Sequence, residues 1–221
     1  MPEQRITIPV NDPLGSLELE GILYLPSGAG SHPGVVVCHP HPLYGGDMGN
    51  NVVMAICDAL AEQQIASLRF NFRGTGNSQG SHGEGVKEEL DVLSALNWLA
   101  ACPGIEGARI GLAGYSFGAR VSILAAEKAA GLQALALVAP PARNLTESGA
   151  LRSFTRPKFF IVGEEDNIAM SGDLDRFVEA LPDPKEYHKV PGADHSWWGY
   201  EGIVGPAVAA FFAQILLENR S

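Results

Sequence analysis

Residues 109–119 read Arg109-Ile-Gly-Leu-Ala-Gly-Tyr-Ser-Phe-Gly-Ala119, and the reading of the whole chain turns on them. Apolar Ile110, Leu112 and Ala113 lead into Gly114-Tyr115-Ser116-Phe117-Gly118, and an alanine-rich helical stretch, Ala119 to Ala130, follows directly. The order is strand, five-residue turn, helix. Glycines two before and two after a serine in that context form the G-x-S-x-G pattern of a nucleophile elbow. Side chains at Gly114 and Gly118 would collide with neighbouring backbone. The strained turn lifts the Ser116 hydroxyl clear of the sheet, at the positive end of the following helix. Five residues match many sequences by chance, so the elbow requires a base, an acid and oxyanion donors from elsewhere in the chain.

The bulk composition limits what those partners can serve. A chain of 221 residues with 46% hydrophobic and 18% charged residues fits one soluble domain, expected to span 1–221. The 15 basic and 25 acidic residues give a net charge of −10. No basic cluster exceeds two adjacent residues, which argues against nucleic acid or an anionic membrane as partner. Cys38, Cys57 and Cys102 are odd in number and lack C-x-x-C spacing, and the first two read as small buried hydrophobes. Met-Pro-Glu-Gln-Arg at the start has no signal-peptide layout, and no apolar run approaches membrane-spanning length. These features favour a reducing cytoplasm. Oligomeric state leaves no signal.

Outward from the elbow, the pattern is α/β. Arg5–Val10 and Leu17–Leu25 alternate apolar and polar residues around the turn Asn11–Gly15, which predicts an antiparallel hairpin with one wet face. Val35-Val-Val-Cys38 is apolar throughout, the mark of a strand covered on both faces. Helices are predicted over 48–64, 86–101, 172–181 and 202–217, with strands at 65–70, 132–138, 158–162 and 186–190. Alternation of this kind implies a mostly parallel sheet with helices on both faces. Ligands in such sheets bind outside the carboxyl ends of the strands.

Those ends carry polar residues in a telling order. His39-Pro-His-Pro-Leu-Tyr-Gly-Gly46 follows one strand, Ser116 another, Gly163-Glu-Glu-Asp166 a third and Gly192-Ala-Asp-His195 the last. Ser, then acid, then His is the chain order of α/β-hydrolases. With Asn71-Phe-Arg-Gly-Thr-Gly-Asn-Ser78, these motifs give the whole chain a resemblance to that superfamily, closest to its small dienelactone-hydrolase-like serine esterases. The implied fold is the α/β-hydrolase fold.

A serine hydroxyl needs a base to take its proton, and histidine titrates near neutrality. His195 stands where the family pattern puts that base. His32 and His82 read as solvated loop residues and His188 as a surface strand residue. Glu164, Glu165, Asp166 and Asp194 are all candidate acids. The family's Gly-x-x-Asp selects Asp166, whereas Asp194 is better read as a turn cap. The oxyanion hole needs two backbone N–H groups. The resemblance assigns one to Phe117 and aligns the other with His41, with Leu43 and Tyr44 open as alternatives because Pro40 and Pro42 have no N–H. The side chains of His39 and His41 read as hydrogen-bonded structural groups. His-x-His lacks further zinc ligands at a recognisable spacing, so no metal is expected, and no cofactor. The glycine-rich loop 73–80 lacks the Gly-Lys-[Ser/Thr] of a phosphate loop and is expected beside the site entrance.

Family members often insert a cap after the strand at 132–138, but about 19 residues separate that strand from Lys158. An open, lidless site is expected. Its walls should come from Leu43, Tyr44, Tyr115, Phe117, Pro141, Leu145, Ile168, Trp197 and Trp198, with plain core or surface packing an equal prospect for each tryptophan. The resemblance therefore implies a carboxylesterase acting on small ester or thioester substrates. Two alternatives remain: an amide or peptide hydrolase of the same fold, or a hydrolase-fold binding protein. Dienelactone hydrolase itself is disfavoured, because that enzyme uses cysteine where this chain has Ser116.

Overall fold

The computed structural model describes residues 3–28, 30–141, 145, 149, 151–169 and 171–218. Strands β1 (Glu3–Val10) and β2 (Leu17–Tyr24) form the expected antiparallel hairpin, with Ile8, Val10, Leu19 and Leu23 buried on one face. β2 then pairs antiparallel with β4 (Ala66–Phe70), joining the hairpin to the sheet. From β4 onward, β3 (His32–Cys38), β5 (Ile105–Tyr115), β6 (Leu132–Val138), β7 (Lys158–Gly163) and β8 (Lys185–Val190) all run parallel. The spatial order is β1-β2-β4-β3-β5-β6-β7-β8.

Among the described residues, five helices accompany these strands: α1 (Asn51–Glu62), α2 (Glu88–Ala100), α3 (Phe117–Lys128), α4 (Ser171–Glu179) and α5 (Glu201–Glu218). Two neighbouring residues of β3 reveal the layering. A side chain at Gly34 would press on Leu99 of α2, whereas Val35 shares its face with Gly111, where a side chain would strike Phe212 of α5. Successive strand residues point to opposite faces, so α2 and α5 cover opposite sides of the sheet. This double cover explains why Val35, Val36 and Val37 are fully buried.

Local chemistry shifts the starts of the predicted helices. α1 starts at 51 rather than 48 because the Asn50 side chain accepts the Val52 N–H at 3.0 Å and caps it there. α3 starts at Phe117 rather than Ala119, immediately after Ser116. A 3-10 turn at Pro42–Tyr44, absent from the predicted elements, has Pro42 at its first position. Cys38 and Cys57 are buried and Cys102 is partly so, all three as free thiols. No helix among the described residues is long and apolar enough to cross a membrane. Much of the loop on which the lidless expectation rests (142–144, 146–148 and 150) lies outside the described residues.

Candidate active site

The elbow forms at the carboxyl end of β5, in the middle of the sheet. Ser116 has φ 53° and ψ −113°, and its N–H donates to the Val138 carbonyl at 2.9 Å. Positive φ is unfavourable for a residue with a β-carbon, so the surrounding packing must hold it. The flanking glycines make that possible. A β-carbon on Gly114 would lie 2.5 Å from the Gly118 carbonyl oxygen, and one on Gly118 would strike the carbonyl oxygens of Cys38 and His39.

Three side chains from three strand ends meet there. Ser116 Oγ lies 2.9 Å from His195 Nε2, and His195 Nδ1 lies 2.7 Å from Asp166 Oδ2. Asp166 is buried, and its other oxygen accepts the N–H groups of Ile168 (2.8 Å) and Ala169 (2.7 Å). A carboxylate so placed orients the ring with its proton on Nδ1, leaving Nε2 to accept from the serine. The rival acids go elsewhere. Glu164 and Glu165 are exposed, and Asp194 Oδ1 accepts from the N–H (2.9 Å) and hydroxyl (2.6 Å) of Ser196. Those bonds hold the Asp194 carboxyl below the usual carboxylate range, as expected of a turn cap.

The loop bearing His195 is tied from several directions. Tyr115 of β5 donates its phenol to the His195 carbonyl, and Asn51 Nδ2 donates to the Ser196 carbonyl at 3.1 Å. Gly163 lets this loop approach β7, since a β-carbon there would strike the Ala193 carbonyl.

After β3, His39 is buried and locks the next loop. Its Nδ1 donates to the Pro40 carbonyl (2.7 Å) and its Nε2 accepts the Phe72 N–H (3.1 Å). Burial pushes its pKa down to about 4, so the ring is neutral, as those two bonds require. His41 is the residue before the 3-10 turn, and its Nδ1 accepts the Leu43 N–H at 3.3 Å while its carbonyl accepts the Tyr44 N–H at 3.1 Å. The two alternative oxyanion donors, Leu43 and Tyr44, therefore already spend their N–H groups inside the loop. Phe117, as the first residue of α3, has no acceptor within the helix.

Residues 35–201 match the alpha/beta hydrolase domain family. The chain belongs to it. An uncharacterized protein of Rickettsia prowazekii is 31% identical over 84% of this chain and 79% of its own length. Among solved structures, a serine hydrolase without a lid from Xanthomonas campestris is 29% identical with a TM-score of 0.81, covering 97% of this chain and 96% of that one. A serine hydrolase homologue from Coxiella burnetii is 31% identical with a TM-score of 0.79, covering 93% and 96%.

As in an α/β-hydrolase generally, the cavity lies at the carboxyl ends of the strands. It has a volume of about 810 Å³ and is bordered by Ser116 and His195. Of the residues named for its walls, Tyr44, Tyr115, Phe117, Pro141 and Ile168 line it, and His41 lines it as well. Four expected wall residues do not. Trp197 is fully buried beneath the loop, and Leu145 is buried as well. Trp198 (73% exposed) and Leu43 (70%) project to solvent beyond the lining. The irregular turns that carry them follow no period, so neighbouring residues take opposite fates.

Two loop expectations also change. His82 is not simply solvated: its ring packs against Phe117 and His41, and its Nδ1 lies 3.1 Å from the buried Glu88 carboxylate. The glycine-rich loop 73–80 contributes nothing to the cavity lining. Glu20 accepts from Asn71 Nδ2 (2.6 Å) and from the N–H (2.7 Å) and Nδ2 (2.9 Å) of Asn77, while Arg73 is clamped by Asp91 (2.6 Å) and Asp12 (2.7 Å). The loop is an internal brace. Conversely, Asn50, Arg120, Asn167 and Ser196 border the cavity without having been singled out, and Glu165, weighed above only as a candidate acid, borders it too. For Arg120 a signal existed, because a residue four beyond Ser116 on a helix shares its face. Among the described residues, no three His, Cys, Asp or Glu side chains come together as metal ligands.

Proposed function

We propose that this α/β-hydrolase is a serine carboxylesterase for small esters or thioesters, with Ser116 as nucleophile, His195 as base and Asp166 as the orienting acid. The observation that carries the proposal is the unbroken relay of 2.9 Å and 2.7 Å contacts from Ser116 through His195 to the buried Asp166. As Ser116 Oγ attacks the ester carbonyl, its proton passes to His195 Nε2, and Asp166 stabilises the imidazolium. The carbonyl oxygen becomes an oxyanion. Backbone N–H groups of Phe117 and His41 receive it, a reading supported by the engagement of the Leu43 and Tyr44 N–H groups within their own loop. Collapse expels the alcohol, which takes its proton from His195. Water activated by the same ring then releases the acid and restores Ser116. No step calls for a metal or cofactor.

The chain is proposed to act as one hydrolase domain, with a cavity open enough for small acyl or aryl groups. A fluorophosphonate probe should add mass at Ser116 of the folded protein, and p-nitrophenyl acetate turnover should vanish in Ser116→Ala. Absence of both labelling and turnover would leave the binding-protein alternative. Turnover of matched anilides at rates rivalling the esters would favour the amidase alternative.

A further inference from the structure

The chain carries a net charge of −10, yet a cation borders its cavity with no carboxylate in ion-pair contact among the described residues. Arg69, Arg73, Arg109 and Arg176 each pair with an Asp or Glu. Arg120, like Arg5, Arg152 and Arg156, makes no such pair among the described residues, but of these it alone borders the cavity. It stands one turn beyond Ser116 on α3, its N–H donating to the Ser116 carbonyl at 3.1 Å. The start of a helix favours negative charge, and the first turn of α3 has no acidic residue. Helix stability therefore gives no reason for an arginine at this position.

The adjoining loop orients the guanidinium. Nη1 of Arg120 donates to the Glu84 carbonyl at 3.1 Å. Glu84 takes φ 57° and Gly85 φ 83°, and a β-carbon on Gly85 would come within 3.0 Å of Nη1. The buried Glu88 carboxylate fixes the loop by accepting the N–H groups of Gly83 (2.6 Å) and Gly85 (2.8 Å). One corner of the fork is thus held by backbone, no other hydrogen bond of the guanidinium is formed among the described residues, and the residue borders the cavity. The acidic residues bordering the cavity, Glu165 and Asp194, come from the loops after β7 and β8, on the other side of Ser116 along the sheet. The cavity is therefore positive toward α3 and acidic toward the loops after β7 and β8.

We propose that Arg120 is a specificity determinant that recognises a carboxylate on the substrate, so that the esters preferred here carry an anionic group on the part lying along Phe117 and His41. A guanidinium held in one orientation suits a planar carboxylate, which it can bind through two parallel N–H donors. This inference rests on the serine esterase reading.

Two matched pairs of esters test it: mono-p-nitrophenyl glutarate against p-nitrophenyl valerate for an anionic acyl part, and 4-acetoxybenzoate against phenyl acetate for an anionic leaving group. The anionic member of one pair should be favoured about tenfold in kcat/KM, chiefly through KM. Arg120→Gln should erase that preference, the anionic ester falling about tenfold further than the neutral one, and Arg120→Lys should restore part of it. Equal rates within both pairs, or a preference that survives in Arg120→Gln, would overturn the proposal. Failure of the esterase reading looks different: neither member is turned over. Glutarate binding followed by calorimetry then decides, since the proposal requires binding that Arg120→Gln abolishes.

Discussion

At Ser116 the backbone adopts a conformation that costs a residue with a β-carbon about 1–3 kcal/mol, and the chain repays it with packing from two glycines and the Val138 carbonyl. Strain of this size persists only where the surroundings over-determine it, which fits the proposal that this hydroxyl is the reacting group. Its line of partners also separates the candidate acids. Asp166 spends one oxygen on two backbone N–H groups and turns the other to His195, whereas Glu164 is exposed one strand-end residue away. Asp166→Asn should keep the fold but put an amide where the ring needs an acceptor, lowering kcat for p-nitrophenyl acetate by about 10⁴-fold. Glu164→Gln should change it by less than about twofold, as a solvated substitution. If the two variants exchanged these outcomes, the acid would be Glu164.

The element that connects the fold to the site chemistry most directly is the segment after β3, where His39 is fastened to the loop after β4. Its two hydrogen bonds require opposite roles of the two ring nitrogens, so only the neutral Nδ1–H form satisfies both. A doubly protonated ring would set one N–H against the Phe72 N–H. The unfolded chain binds a proton on this residue below its ordinary 6.5, while the folded ring refuses it until about 4. Stability from His39 is therefore complete above pH 6.5 and is lost as pH falls toward 4, by up to roughly 3 kcal/mol. Urea midpoints of the native protein should drop across that window more steeply than those of His39→Asn, which cannot titrate. Equal slopes would mean that another group governs acid sensitivity. Because His39 anchors the loop that presents His41, the same protonation should release the proposed oxyanion donor before the sheet itself unfolds.

Across the whole molecule, periodic features were legible in advance and irregular ones were not. The hairpin alternation, the apolar run Val35–Val37 and the elbow glycines each express a rule of backbone geometry that acts over a few adjacent residues. The order Ser116, Asp166, His195 announced which strand ends should converge, and the resemblance to a known family sharpened that order into an acid. What lay beyond reach depends on turns with no period: Trp197 turns under its loop while Trp198 faces solvent, and Leu43 leaves the cavity through a 3-10 turn. The spacing from Ser116 puts Arg120 on the serine's side of α3, but the Glu84 carbonyl that holds its guanidinium comes from an irregular loop. Convergence also carries a thermodynamic consequence. The site draws on the ends of β3, β5, β7 and β8, and β8 lies at the sheet edge with only β7 beside it. Such an edge would open first were its loop not tied to the centre by Tyr115, by Asn51 of α1 and by the buried Trp197. With those ties, site and sheet should unfold as one unit near neutral pH. Fluorophosphonate labelling of Ser116 and far-UV circular dichroism should then share one urea midpoint. Labelling lost at distinctly lower urea would show that the β8 end opens on its own and that the chain does not behave as a single cooperative domain.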